Sequence, residues 1–114
     1  MNNKEIALQT AAVLSAKKAK DLMVIDVSER SSFADYLILA TGSSERQVGN
    51  LAKEVVDALG KEGIHARNVE GKQSSGWILM DYGDVIVNIF SEEQRNYYNL
   101  EKIWGDCCVL DIEE

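Results

Sequence analysis

The sequence predicts an α/β (α+β) domain in which a mixed sheet of about five strands is covered by helices on mainly one face. Three observations lead to this prediction. Residues 77–90 contain two apolar, β-branched-rich segments on either side of a short turn, which is a β-hairpin pattern. Residues 34–41 are apolar enough for a central strand that is buried on both faces. Residues 44–63 repeat apolar side chains with the period of an amphipathic helix.

The first half of the chain predicts two helices and two strands. A first helix begins at Asn2 or Asn3, whose side-chain amide can cap it, and ends near Lys18. Strands follow at residues 22–27 and 34–41, and Gly42 ends the second of them. The second helix has Ser44 as its N-cap and Gln47 three residues later, as in a capping box. Its apolar stripe is Val48, Leu51, Ala52, Val55, Val56 and Leu59, and Gly63 ends it with Ile64 placed for the accompanying hydrophobic contact.

The second half predicts an edge strand, a hairpin and a third helical segment. Residues 65–70 alternate weakly and are polar, as edge strands often are, and residues 71–76 form a loop. The hairpin turns at residues 82–84, where Gly83 can supply a positive φ. Residues 91–104 then change to a helical spacing of aromatic and charged side chains, and the tail adds a last strand or packs on the core.

Composition limits the class of protein. The 114 residues, 46% of them hydrophobic, are expected to form a single domain spanning residues 1–114. The chain has no long apolar run and no basic-then-apolar start, so we expect a cytoplasmic protein without a membrane span. A formal charge of -7 argues against binding naked nucleic acid and favours a basic partner. Cys107 and Cys108 are adjacent, which is poorly suited to a disulfide between them, and the chain has no second cysteine pair to make a metal site.

One segment could support catalysis. A strand runs through Gly42 and Ser43 into a helix start, a junction that offers backbone N–H groups to a phosphate and is typical of the nucleotidyltransferase fold. That chemistry needs clustered carboxylates for Mg²⁺, usually a D-x-D on the next strand, where this chain has Glu70 alone. Such an enzyme would have to use Asp81 and Asp84, which flank the hairpin turn. Helix capping explains the junction better, and a nucleotide-binding or nucleotidyltransferase-like enzyme stays as the alternative. The single histidine, His65, lies on the predicted edge strand, away from any evident nucleophile.

The hairpin presents two different faces. Strand alternation places Trp77, Leu79 and Asp81 on one face, and Ile78, Met80 and Tyr82 on the other. If Ile78 and Met80 face the covering helices, the first set is exposed. An exposed aromatic and aliphatic pair beside a carboxylate has the composition of a binding surface for a basic protein. A module that only dimerises through this apolar face is a further alternative.

Five motifs occur in a fixed order along the chain: DVS at residues 26–28, ADYLILATGSSERQV at 34–48, EG at 70–71, GWILMDYGDVIVNIF at 76–90 and R-x-Y-Y-x-L-E-x-x-W at 95–104. In this order and spacing they resemble the ribosomal silencing factor family (RsfS, also called Iojap-related). The resemblance implies a nucleotidyltransferase-like fold without catalytic carboxylates, and a protein that is not an enzyme and has no cofactor or metal.

The resemblance also implies a partner and a mechanism. Members of the family bind the large ribosomal subunit through its fourteenth protein, block joining with the small subunit and repress translation under nutrient limitation; they also form homodimers when free. Carried over by position, the partner-binding residues are Trp77, Leu79, Asp81, Tyr82, Arg95, Tyr98, Leu100 and Glu101. Two departures stand out: Asn88 replaces a histidine that many relatives have, and Asn99 replaces a common acidic residue.

Overall fold

The computed structural model describes residues 2–29, 31–98 and 108–110. The elements in chain order are α1 (Asn3–Ala16), β1 (Lys20–Asp26), β2 (Tyr36–Gly42), α2 (Glu45–Lys61), β3 (Asn68–Lys72), β4 (Trp77–Asp81), β5 (Val85–Ser91), α3 (Glu92–Tyr98) and β6 (Cys108–Val109). A single 3-10 turn at Gln73–Ser75 joins β3 to β4. The predicted third helical segment is therefore observed as α3 through Tyr98, and its continuation to Trp104 lies outside the described residues.

The strands form one mixed sheet in the order β3-β4-β5-β2-β1-β6. The central pair, β2 and β5, is parallel, and each of the other neighbouring pairs is antiparallel. The prediction of a mixed sheet of about five strands flanked by helices is confirmed. The two-residue β6 extends this sheet at one edge, where Val109 pairs with Ile25 of β1.

The two faces of the sheet carry two separate apolar clusters. Helices α1 and α2 pack on the first face, against Val24, Ile38, Ala40, Ile78, Met80, Val85, Val87 and Ile89. The second face carries the other cluster, with Ile25, Val27, Ala34, Leu37, Leu39, Ile86 and Phe90. Strand β2 contributes to both clusters, which explains why its sequence is apolar without alternation.

The ends of α2 match their sequence signals. The Ser44 side chain accepts a hydrogen bond from the Gln47 backbone N–H at 3.1 Å. At the other end Gly63 adopts a φ of +76°, and the Ile64 N–H donates to the Leu59 carbonyl at 2.9 Å. The Gly63 N–H donates to the Gly60 carbonyl at 3.0 Å, which completes a Schellman motif.

The predicted bounds of the edge strand, residues 65–70, are wrong. Strand β3 runs from Asn68 to Lys72, and the exposed His65 precedes it. Pairing with β4 sets these bounds, because Asn68 lies opposite Asp81 and Lys72 lies opposite Trp77. The predicted loop is correspondingly shorter and is replaced by the end of β3 and the 3-10 turn.

Helix α1 ends in a Schellman motif whose left-handed position is occupied by lysine. Lys18 has a φ of +67°, and the neighbouring Ala19 N–H donates to the Leu14 carbonyl at 3.0 Å. Side chains other than glycine are strained in this conformation, so we expect Lys18→Gly to raise the free energy of unfolding by about 0.5 to 1 kcal/mol. Urea denaturation followed by circular dichroism measures this change.

Lys53→Gly is the matched control for Lys18→Gly. Lys53 is also exposed but lies inside α2, where glycine is expected to lower the free energy of unfolding by about 1 kcal/mol. A loss of stability in both variants would contradict the assignment of strain to Lys18.

Candidate partner-binding surface

Strand β4 separates its side chains between the two faces as the alternation predicts. Ile78 and Met80 are buried in the cluster beneath α1 and α2. Trp77 and Leu79 are partly exposed and pack against the cluster on the second face. The candidate surface is therefore the part of the second face formed by β4, next to the edge strand β3.

The indole of Trp77 is held by two neighbours on β5. Its ring stacks on Phe90, which lies directly opposite it in the register, with centroids 5.2 Å apart and ring planes 27° apart. Its Nε1 donates a hydrogen bond to Oδ1 of Asn88 at 3.1 Å. Trp77 thus presents a partly exposed ring from a fixed position, which is a typical property of an interface anchor.

A cleft of about 230 Å³ lies beside this ring. Apolar surface comes from Trp77 and Leu79, and polar groups come from the 3-10 turn, β3 and α3. The lining residues are Glu70, Gly71, Ser75, Trp77, Leu79 and Gln94. An apolar wall with a few polar groups at its rim is the usual composition of a binding cleft.

Gly71 and Ser75 shape the rim of this cleft. Gly71 has a φ of +82°, and a Cβ atom at this position would lie 2.0 Å from the carbonyl oxygen of Trp77. The Ser75 hydroxyl donates to the Lys72 carbonyl at 2.7 Å and accepts from the Lys72 N–H at 3.2 Å. Only glycine therefore fits at position 71 of β3, and the Ser75 hydroxyl hydrogen-bonds the turn between β3 and β4.

Asp81 and Tyr82 lie at the hairpin turn. The Asp81 carboxylate accepts from the Gly83 N–H at 2.7 Å, and Gly83 has the expected positive φ of +91°. Asp81 is partly exposed on the same face as Trp77 and Leu79. Tyr82 packs against the helix-side cluster instead, and burial raises the pKa of its phenol, which favours the neutral form.

Arg95 is buried, with only 5% of its surface exposed. Its Nη1 donates to the Thr41 hydroxyl of β2 at 2.9 Å, and this contact ties α3 to the sheet. The structure therefore brings Trp77, Leu79 and Asp81 together, whereas Tyr82 and Arg95 take other positions. Leu100, Glu101 and the side chain of Tyr98 lie outside the described part of the chain, as do Asn99 and Cys107.

At the Gly-Ser junction before α2, the polar groups of Ser43 are hydrogen-bonded within the chain. The hydroxyl and the backbone N–H of Ser43 both donate to Oε1 of Gln47, the hydroxyl at 2.6 Å. Gly42 is explained by close packing, because a Cβ there would lie 2.9 Å from the Val48 backbone nitrogen. The predicted capping role is supported, with Gln47 reaching the residue before the N-cap.

The carboxylates near the hairpin are engaged with other groups. The Asn3 side chain donates to Asp35 at 3.1 Å and to Asp84 at 3.2 Å. Within residues 2–29, 31–98 and 108–110, no group of three or more His, Cys, Asp or Glu side chains could hold a metal ion. Among the helices described, none has the length and apolarity needed to cross a membrane.

The sequence did not identify Asn88, Ser75 or Gln94 as part of this surface. For Asn88 a signal existed: it is the one polar side chain between Val85 and Phe90, in a strand otherwise apolar. Its position two residues before Phe90 places it on the Trp77 face by alternation. Ser75 and Gln94 carry no comparable pattern, because a turn and a helix start bring them to the cleft.

Comparisons with known proteins agree with the motifs. Residues 1–114 match the family described as "Ribosomal silencing factor during starvation". The chain is 39% identical over 113 residues to ribosomal silencing factor RsfS of Bacillus subtilis, covering 99% of this chain and 96% of that protein. It is 31% identical over 106 residues to the chloroplastic protein Iojap of Arabidopsis thaliana, covering 93% of this chain and 44% of that protein. A crystal structure of a protein from Chromobacterium violaceum matches with a TM-score of 0.88 at 37% identity, covering 92% of this chain and 88% of that one.

Proposed function

This chain belongs to the ribosomal silencing factor family, and we propose that it represses translation by binding the large ribosomal subunit and preventing the small subunit from joining it. The proposed contact on the large subunit is its fourteenth protein, at a surface that forms a bridge between the subunits. The mechanism is steric, since a bridge surface covered by this domain has no room for the small subunit. Repression is expected when nutrients are scarce.

One observation in the structure carries the proposal: Trp77 and Leu79 are partly exposed on a strand that is fixed on both sides. Strand β4 pairs with β3 and β5, so its backbone cannot reorganise on binding without breaking the sheet. A rigid aromatic and aliphatic pair loses little conformational entropy in a complex, which is why such residues often dominate binding energy.

Charge supports a basic partner. The chain has a formal charge of -7, and Asp81 lies on the same face as Trp77 and Leu79. An acidic domain is attracted to a basic ribosomal protein and is repelled by bare RNA, so it would be directed to protein on the ribosome surface.

We assign two kinds of role within the proposed partner-binding set, direct contact and positioning. Trp77, Leu79 and Asp81 contact the partner directly. Arg95 acts from within, by fixing α3 against Thr41. The proposed contacts of Tyr82, Tyr98, Leu100 and Glu101 continue from the hairpin turn and along the segment that begins with α3.

The domain of residues 1–114 acts in the cytoplasm, without a cofactor and without an enzymatic step, and forms a homodimer when it is not on the ribosome. The hydrogen bonds of Gln47 at the Gly42-Ser43 junction support a non-enzymatic role, because the Ser43 N–H and hydroxyl, two of the groups that would hold a phosphate, already donate to it.

Binding to the purified fourteenth ribosomal protein tests the electrostatic part of the proposal. The dissociation constant is expected to rise by about tenfold between 0.05 and 0.5 M salt, because the Debye length shortens severalfold over this range. Asp81→Asn keeps the acceptor for the Gly83 N–H but removes the charge, so it should weaken binding at low salt and reduce the salt dependence.

Asp57→Asn is the control for Asp81→Asn. It makes the same change of charge at an exposed position on α2, on the helix side of the sheet. Equal effects of the two substitutions would show that only the net charge matters, and would contradict docking through the Trp77 face.

A further inference from the structure

Asn88 is an unusual residue for its position. It is 1% exposed, and its neighbours across the sheet are Leu79 on β4 and Leu39 on β2. A buried amide is unfavourable unless its polar atoms are hydrogen-bonded, and an aliphatic side chain would suit these neighbours better. The packing of β5 therefore does not explain an amide at position 88.

The hydrogen bond to Trp77 accounts for an amide at position 88. Oδ1 of Asn88 accepts from the indole Nε1 at 3.1 Å, diagonally across the β4–β5 pair. Stacking on Phe90 restricts the plane of the indole, but a flip of roughly 180° about χ2 keeps that plane and exchanges the two edges of the ring. The acceptor fixes which edge of the ring points into the sheet and which edge faces the cleft.

We propose that Asn88 is a positioning residue, whose side-chain oxygen locks the Trp77 indole in the orientation that forms the wall of the cleft and docks on the partner. This inference rests on the proposed function for its binding consequence, while the locking of the ring is independent of any partner. A side chain that is already ordered before binding loses less rotamer freedom in the complex. Loss of the acceptor is therefore expected to weaken binding by roughly three- to tenfold.

Three variants separate positioning from folding. Asn88→Leu has nearly the same size and removes the acceptor, whereas Asn88→Asp keeps an acceptor oxygen in the same place. Trp77→Phe keeps an aromatic ring against Phe90 and removes the indole N–H. Each variant is studied as the full chain, with its thermal melting recorded first.

Solvent exchange of the Trp77 indole proton is the first readout, measured by NMR on protein with ¹⁵N-labelled tryptophan. The Trp77→Phe spectrum identifies the resonance by its absence. We expect exchange to be about tenfold faster in Asn88→Leu, and to return towards the wild-type rate in Asn88→Asp. An unchanged exchange rate in Asn88→Leu would overturn the proposed locking.

Affinity for purified large ribosomal subunits is the second readout. Asn88→Leu should weaken binding while its melting temperature stays the same or rises, a combination that a purely structural role would not give. In the Trp77→Phe background the same substitution should have no further effect, because the hydrogen bond is already absent. Equal affinity of Asn88→Leu and wild type would overturn the positioning role.

The two proposals fail in different ways. If the wild-type protein does not bind the large subunit, the proposed function and the docking consequence are both wrong, and indole exchange still decides whether Asn88 locks the ring. If Asn88→Leu does not fold, the exchange rate of the wild-type indole decides the inference: slow exchange supports the lock, and rapid exchange, as in an unbonded indole, would contradict it.

Discussion

Replacing Trp77 with alanine is expected to weaken binding to the large ribosomal subunit by about 30-fold or more, equivalent to about 2 kcal/mol. The substitution removes the partly exposed ring that stacks on Phe90 and forms the wall of the cleft. It also leaves the buried Asn88 oxygen without its indole donor. Sedimentation of labelled protein with purified large subunits, at a series of subunit concentrations, measures the change in dissociation constant.

Val69→Ala is the matched control for Trp77→Ala. Val69 is 51% exposed on the adjacent strand β3, and it lies opposite Met80, on the helix side of the sheet. Its truncation removes an exposed apolar side chain from the helix side of the sheet, so the affinity should stay within about twofold of wild type. If Val69→Ala weakens binding as much as Trp77→Ala while both variants melt as folded proteins, the docking face has been assigned to the wrong side.

Gly71→Ala is expected to lower the free energy of unfolding by about 3 kcal/mol or more. Two effects combine at this position. The φ of +82° is unfavourable for alanine, and its Cβ would lie 2.0 Å from the Trp77 carbonyl oxygen. That oxygen belongs to the backbone of the paired strand, so the clash is relieved only by moving β3 away from β4. Urea denaturation monitored by circular dichroism gives the change in stability.

Gly63→Ala separates the two effects. Gly63 has a similar φ of +76°, but no atom of the described residues lies within 4 Å of a Cβ built there. Alanine at this position should cost about 1 kcal/mol, the penalty of the left-handed conformation alone. A Gly71→Ala variant no less stable than Gly63→Ala would contradict the close approach of β3 to Trp77. Because the clash involves Trp77 itself, any folded Gly71→Ala protein should also bind the large subunit more weakly.

Elements with a strong period were predictable from the sequence. The apolar stripe of α2, with its cap at Ser44 and its stop at Gly63, is a local sequence pattern that identifies a helix and the face that it buries on the sheet. The hairpin was equally clear, because Gly83 marks the turn and alternation assigns Ile78 and Met80 to the helix-covered face. The family resemblance inferred from the ordered motifs was confirmed by the match over residues 1–114.

Features set by contacts between distant segments were not predictable in the same way. The bounds of β3 depend on its pairing with β4, since its own side chains are all exposed and show little pattern. The burial of Arg95 depends on Thr41, which is 54 positions away in sequence. Nothing in the sequence around Arg95 indicates that this charged residue of a short helix will contact β2. Its buried position could therefore be seen only in the structure.

The partner-binding residues, too, were predictable from the sequence only in part. Alternation alone placed Trp77, Leu79 and Asp81 on one face, and the structure agrees with that placement. The cleft beside them could not be foreseen, because a 3-10 turn, the edge strand and α3 create it jointly. Which of these residues contact the ribosome stays a prediction.

Sucrose-gradient centrifugation of purified ribosomal subunits, at the Mg²⁺ concentration that lets them join, with and without this protein, measures whether the protein blocks subunit joining. Blotting of the fractions locates the protein. We expect it to sediment with the large subunit and to reduce the amount of joined ribosomes, and Trp77→Ala to do neither at the same concentration. A wild-type protein that stays at the top of the gradient while the subunits join normally would contradict the proposed function.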